Sequence, residues 1–153
     1  MDTGLPDRRQ PVHGVKITSD RPTIIFLTVC TKFRSPWLAD PAVVALLRQV
    51  WIHADAWLVG RYVVMPDHIH LFAGLAATDV DLDRWVTYWK SQFSKTWKRP
   101  DCRWQSDHWD TRMRNAEQYE EKWHYIRLNP VRRGLVARPE DWPFQGEVNL
   151  LEW

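Results

Sequence analysis

The sequence predicts an α+β domain: a mostly antiparallel sheet of the ferredoxin-like or RRM-like kind, with helices packed on one face. Two observations lead there. Short β-branched and aromatic runs alternate with longer segments of helical apolar period, in the order strand, helix, strand, strand, helix, strand, helix. The chain is also the size of one domain, 153 residues with 44% hydrophobic and 26% charged residues, enough to bury a core.

The first strand is Thr23 to Thr31, rich in Ile, Val, Thr and Phe. Pro36 and Pro41 bracket a turn, and Asp40 before Pro41 opens a helix whose apolar face is Val43, Val44, Leu46, Leu47, Val50, Trp51 and Ala54. Trp57 to Met65 and His68 to Gly74 are the second and third strands, joined tightly through Pro66 and Asp67. A second helix runs from about Leu82 to Lys98 on the stripe Leu82, Trp85, Val86, Trp89 and Phe93. Arg103 to His108 is a short strand. The third helix opens at Asn115, with Gln118 in capping-box position, and ends near Asn129 because Pro130 disfavours α conformation in the residue before it. Residues 1–22 read as a partly disordered N-terminal arm, 23–145 as the domain and 146–153 as a C-terminal tail. The stretch from Val131 onward reads as extended or turn-rich.

Several classes drop out. No apolar run approaches a membrane span, and Met1 to Pro22 lacks the continuous apolar core of a signal peptide, so a cytoplasmic protein is expected. Cys30 and Cys102 are far apart, which supports neither a disulfide scaffold nor a thiolate zinc site. Net charge is only +2, but Lys90, Lys95, Lys98, Arg99 and Arg103 cluster, as do Arg112 with Arg114 and Arg132 with Arg133. Such clusters suit either a solvated face or a phosphate backbone. Most of the eleven tryptophans fall at core spacing, and an exposed one would stack unpaired bases.

The chemistry-bearing segment is Met65-Pro66-Asp67-His68-Ile69-His70. In a strand His68 and His70 project from one face while Ile69 enters the core, so two imidazoles stand side by side as in metal sites. A strand that merely carries two histidines has the same pattern, and the metal reading demands a third ligand. His108 is either that ligand or a structural strand-end residue. On the third helix Tyr125 and Asn129 are one turn apart, on a face shared by Gln118 and Lys122. Tyr125 there is a nucleophile or an amphipathic tyrosine with a wet tip, whereas Tyr119 lies on the apolar stripe.

Taken together, the histidine segment and the string Tyr125-Ile126-Arg127-Leu128-Asn129-Pro130-Val131-Arg132-Arg133-Gly134 resemble the REP-associated tyrosine transposases, relatives of the single-tyrosine HUH transposases of small insertion sequences. Trp104-Gln105, Asp107-His108, Arg112-Met113-Arg114 and Pro139-Glu140-Asp141-Trp142-Pro143 match as well, and the resemblance spans roughly Thr23 to Phe144. It implies the HUH transposase fold, with a catalytic domain over 23–145. It also implies cleavage and rejoining of single-stranded or hairpin DNA through a 5′-phosphotyrosine on Tyr125. His68 and His70 would bind Mg²⁺ or Mn²⁺ with Asn129 as the remaining ligand, where insertion-sequence relatives carry Gln. DNA contacts are expected from Lys90, Lys95, Arg112, Arg114, Arg127, Arg132 and Arg133. The implied setting is the cytoplasm, associated with the nucleoid, as monomer or homodimer. Two other readings stay open: a metal hydrolase with water as nucleophile, and a domesticated hairpin-binding protein without chemistry.

Overall fold

The computed structural model describes residues 23–76 and 79–153; the expected arm over 1–22 lies outside the described residues. The elements are β1 (Ile24–Thr31), a 3-10 turn (Lys32–Arg34), α1 (Pro41–His53), β2 (Trp57–Val64), β3 (His68–Leu75), α2 (Leu82–Trp97), β4 (Trp104–Arg112), α3 (Ala116–Arg127), α4 (Asn129–Arg132), a 3-10 turn (Pro139–Asp141) and β5 (Gln145–Glu147). The α+β class and the antiparallel sheet are as the sequence predicts. The five strands run in the order β4-β1-β3-β2-β5, every pairing antiparallel.

Helix starts follow their capping residues. Asp40 Oδ1 accepts from the Ala42 and Val43 amides, Asp81 Oδ1 from Arg84, and Asn115 Oδ1 from Gln118. The Gln118 side chain reaches back in turn to the Arg114 amide at 2.6 Å.

One placement differs from expectation. All eight residues of β1 and seven of eight in β3 are buried, so the central strands need cover on both faces rather than one. Odd positions of β1 and β3 (Ile25, Leu27, Val29, Ile69, Leu71, Ala73) meet α1 and α2 in the main core. Even positions (Ile24, Phe26, Phe72) meet Tyr119 and Ile126 of α3, together with Met113 and Trp142, in a second core. Only α1 and α2 share a face. The third helix crosses to the other, because the apolar residues at even strand positions would otherwise face water.

Three boundaries also shift. β4 continues past His108 to Arg112, since pairing with β1 persists to Ile25. Pro130 does not end helical structure; it sits in the first turn of α4, where its missing N–H costs nothing. The tail adds an edge strand, Gln145 to Glu147, against Arg61 to Val63 of β2, and the Trp142 indole donates to the Val64 carbonyl at 3.0 Å. A register shift between Val59 and Tyr62 explains how both side chains reach the main core despite odd and even numbers.

The main core is held by aromatic rings. Trp89, fully buried, meets Trp51, Trp85 and Trp104 edge-on at 5.8, 6.2 and 5.5 Å between centroids. Trp89→Ala is expected to cost about 3–5 kcal/mol, lowering the melting midpoint by roughly 10–15 °C in a calorimetric scan.

Candidate metal and nucleophile site

His68 and His70 lie on the face of β3 that looks toward α3, as the alternation predicts, and Ile69 lies in the main core. Both imidazoles are completely buried, with ring centroids 4.6 Å apart. Each has its Nδ1 engaged. His68 Nδ1 lies 2.8 Å from Asp67 Oδ1, and an ionised carboxylate only accepts, so Nδ1 carries the proton. His70 Nδ1 lies 2.9 Å from Thr28 Oγ1, and the ring stacks on Phe26 at 5.2 Å. Both Nε2 atoms are buried without a hydrogen-bond partner among the described residues. Imidazoles oriented through Nδ1 and open at Nε2 are the arrangement of metal-ligating histidines.

Asp67, which has no role of its own in the sequence reading, is the hub of this support. The Met65–Asp67 turn is pinned by Thr31, whose amide and hydroxyl both donate to the Asp67 carbonyl. The Asp67 carboxylate takes Arg34 Nε at 3.0 Å and Nη2 at 2.9 Å, and Arg133 approaches at 3.9 Å. Burial pushes this carboxyl up, but the His68 hydrogen bond and the charges of Arg34 and Arg133 outweigh it and hold it at about 2. A carboxyl depressed from 3.8 to about 2 contributes about 2 kcal/mol of stability, present above pH ~4 and lost as pH falls toward 2. Asp67→Asn should therefore flatten the acid limb of a stability-against-pH curve, measured by urea unfolding.

Burial also depresses both histidines, His70 well below the ordinary range, with Lys122 and Arg132 adding to the effect. Both rings are thus neutral near pH 7, the form that binds metals.

Tyr125 and Asn129 come to the same side of the sheet. Tyr125 is half-buried at the end of α3, packed against the second core, and Asn129 is fully buried at the start of α4. Arg132 joins them: its guanidinium lies 4.0 Å from the Tyr125 ring centroid, and its Nη2 donates to the Tyr125 carbonyl at 2.8 Å and to Asn129 Oδ1 at 2.9 Å. Asn129 Nδ2 is buried without a partner. Lys122 Nζ lies 6.0 Å from the Tyr125 ring centroid and 5.1 Å from that of Phe26, the ring stacked on His70. Lys122 and Arg132, which lie against the Tyr125 ring, also act electrostatically on His70, so the phenol, the cations and the buried imidazoles share one side of the sheet.

The remaining residues of interest scatter. Arg133 reaches the Asp67 end of the site. Lys95 and Arg114 are exposed, and Arg112 and Arg127 are half-buried. Lys90 is not a surface cation: it is buried, its ammonium donates to the Gln105 carbonyl at 2.9 Å, and burial lowers its pKa to about 8. Tyr119 is in the second core, where the apolar stripe placed it. His108 pairs with Val29 and so faces the main core, across the sheet from His68 and His70. It cannot be their third ligand. Instead His108 Nε2 lies 2.9 Å from Asp83 and 3.5 Å from Asp110, a group whose ligand atoms fall within 4.8 Å of one another and which is compatible with a divalent cation. Asp67 carries a local sequence signal, an acid immediately before His68, whereas Thr28 carries none, because only the pairing of β1 with β3 sets it opposite His70.

No protein-family model matches the chain. It is 34% identical over 87 residues to a REP-associated tyrosine transposase of Escherichia coli strain K12, covering 56% of this chain and 52% of that protein. A second curated relative, from Haemophilus influenzae, is 30% identical over 95 residues, 53% of each. The chain spans about half the length of the curated relatives it matches. Among solved structures, a REP-associated tyrosine transposase bound to a REP hairpin superposes with a TM-score of 0.69 at 28% identity, covering 92% of this chain and 81% of that one. Among the described residues no helix is long and apolar enough to cross a membrane.

Proposed function

Taking the chain as a relative of the REP-associated tyrosine transposases in sequence and in fold, we propose that it cleaves and rejoins single-stranded DNA next to hairpins, with Tyr125 as nucleophile and a divalent metal at His68 and His70. The observation that carries this reading is the pair of buried Nε2 atoms, each on a ring held from behind through Nδ1. Asn129 Oδ1 keeps a second lone pair beside its bond from Arg132 and is the proposed third protein ligand. An oxygen beside two imidazoles accepts Mg²⁺ or Mn²⁺. When bound, the ion would polarise the phosphate oxygens and lower the charge barrier to attack.

The chain's own residues supply the rest. Arg132 and Lys122, which lie against the Tyr125 ring, draw the anionic phosphate toward the phenol. The Tyr125 Oη–P bond forms as the P–O3′ bond breaks; the phenol gives up its proton and the departing oxygen gains one, leaving a 3′-hydroxyl. In the reverse sense, another 3′-hydroxyl attacks the phosphotyrosine and the phenol is restored. One phosphodiester is exchanged for another, so rejoining needs no ATP.

The test is to incubate the protein with Mg²⁺ or Mn²⁺ and labelled hairpin DNA bearing single-stranded flanks. A covalent protein–DNA band on a denaturing gel, absent with chelator, is expected; hairpin binding with no adduct under either ion would leave a binding protein without chemistry. Asp67→Asn, which removes the anionic partner of His68 Nδ1, is expected to weaken metal binding by about 10–100-fold while leaving the ligands in place. Calorimetric titration with Mn²⁺ measures it.

A further inference from the structure

Past the end of β1, on the α2 side of the sheet, the surface carries a second set of features that the reaction does not use. Three non-glycine residues among those described have positive φ: Phe33 (58°), Arg34 (57°) and Lys98 (56°). A bulky aromatic in the left-handed region is disfavoured and persists only where its surroundings impose it. Arg34 is imposed by its two bonds to Asp67. Phe33, immediately before it, is thereby turned outward and is 86% exposed, the most exposed large hydrophobic side chain among the described residues. Lys32 Nζ lies 5.3 Å from its ring centroid.

The turn leads directly into a groove. The Lys32 amide donates to the Arg103 carbonyl at 2.8 Å, tying the turn to the start of β4. Lys32, Lys98, Arg99 and Arg103 line the groove together with Cys102 and Trp104, and none of its lining residues is acidic. The Arg99 guanidinium lies over the Trp97 ring at 4.7 Å. Thus the left-handed turn and the left-handed C-cap of α2 together shape a cationic channel. Lys32 lines it, Phe33 follows Lys32 in the chain, and Arg34 beyond Phe33 bonds Asp67, the partner of His68.

We propose that this groove is a track for the single strand flanking the scissile phosphate, with Phe33 as the platform on which the first base beyond the site stacks. Cations spaced along a channel hold phosphates without reading sequence, and an exposed ring at its mouth takes any base on its face. Duplex DNA would offer its phosphates to the cations but keeps its bases paired and stacked, so it gives the Phe33 ring no free base to hold. The proposal rests on the strand-transfer reading only for which strand occupies the groove; the chemistry of the groove is that of single-stranded nucleic acid in either case.

Cys102 gives a native probe, because it lines the groove while the other cysteine, Cys30, is buried. The full-length Tyr125→Phe protein, which keeps the strand intact, would be alkylated with a maleimide. The rate at Cys102 would be followed by peptide mass spectrometry with an unstructured thymidine oligonucleotide or a blunt duplex of equal length. The single strand is expected to protect Cys102 and the duplex not to. Phe33→Ala should raise the protecting concentration roughly tenfold, with Phe33→Trp restoring it. Arg99→Gln should lower the slope of log affinity against log salt by about 0.7. Phe33 and Arg99 are both exposed, so these variants leave the core intact. Equal protection by duplex, no protection at low salt, or indifference to Phe33→Ala would overturn the groove assignment. Adduct formation by the wild-type chain without protection would overturn the groove alone; protection without any adduct would overturn the strand-transfer reading and leave the groove standing.

Discussion

Tyr125→Phe is expected to abolish the covalent adduct and DNA cleavage, with residual activity below about one thousandth, while hairpin binding changes less than about twofold. The substitution removes one oxygen from a half-buried ring. Packing against the second core and the Arg132 guanidinium 4.0 Å away survive, as does the backbone hydrogen bond from Arg132. Loss of chemistry with retention of binding, read from denaturing and native gels side by side, isolates the phenol. Cleavage that persists in the variant would instead assign the nucleophile to water and remove the reason for placing a tyrosine between two cations.

His70→Ala is expected to be comparably severe and to act through the ion. Loss of one of two imidazoles should cost about a thousandfold in metal-dependent cleavage, in keeping with the several kcal/mol that Lewis-acid stabilisation supplies. It also has a readout independent of activity. A ligand that binds only the native state stabilises it by mass action, by about 2.7 kcal/mol at a hundredfold excess over Kd. Adding Mn²⁺ should therefore raise the melting temperature of the wild-type protein and leave that of His70→Ala unmoved. The variant will also start lower, since it leaves Thr28 Oγ1 buried without its partner and removes the ring stacked on Phe26. A metal-induced shift of equal size in both proteins would place the ion elsewhere, with the Asp83, His108 and Asp110 group the next candidate.

The two predictions draw on residues that could be named from the chain alone, and the reason is geometric. His68 and His70 follow the two-residue period of a strand, while Tyr125 and Asn129 are one helical turn apart, so each half of the site is local. What joins the halves is not local. α3 lies over the histidines because Phe26 and Phe72 need cover, and that follows from the pairing of Phe26 with Phe72, far apart in the chain. Two supports of the site are likewise non-local. Thr28 matters only because β1 pairs with β3 in a register that sets it opposite His70, and Arg34 only because a left-handed turn swings it onto Asp67. Composition alone makes Lys90 a surface cation, and the structure buries it. It sits in a run of lysines and arginines, yet its position on α2 turns it inward to the start of β4. β5 carried almost no signal, being three polar residues whose strand character comes entirely from the edge of β2.

The strand order has a bearing on how the molecule keeps to itself. An open sheet edge is a row of backbone donors and acceptors, a template on which another chain could polymerise. Among the described residues one end of the sheet is β5, only three residues long, and the other is β4. The apolar strands β1 and β3, which on their own have the composition of aggregation-prone segments, lie in the middle of the sheet, beyond reach of an incoming strand.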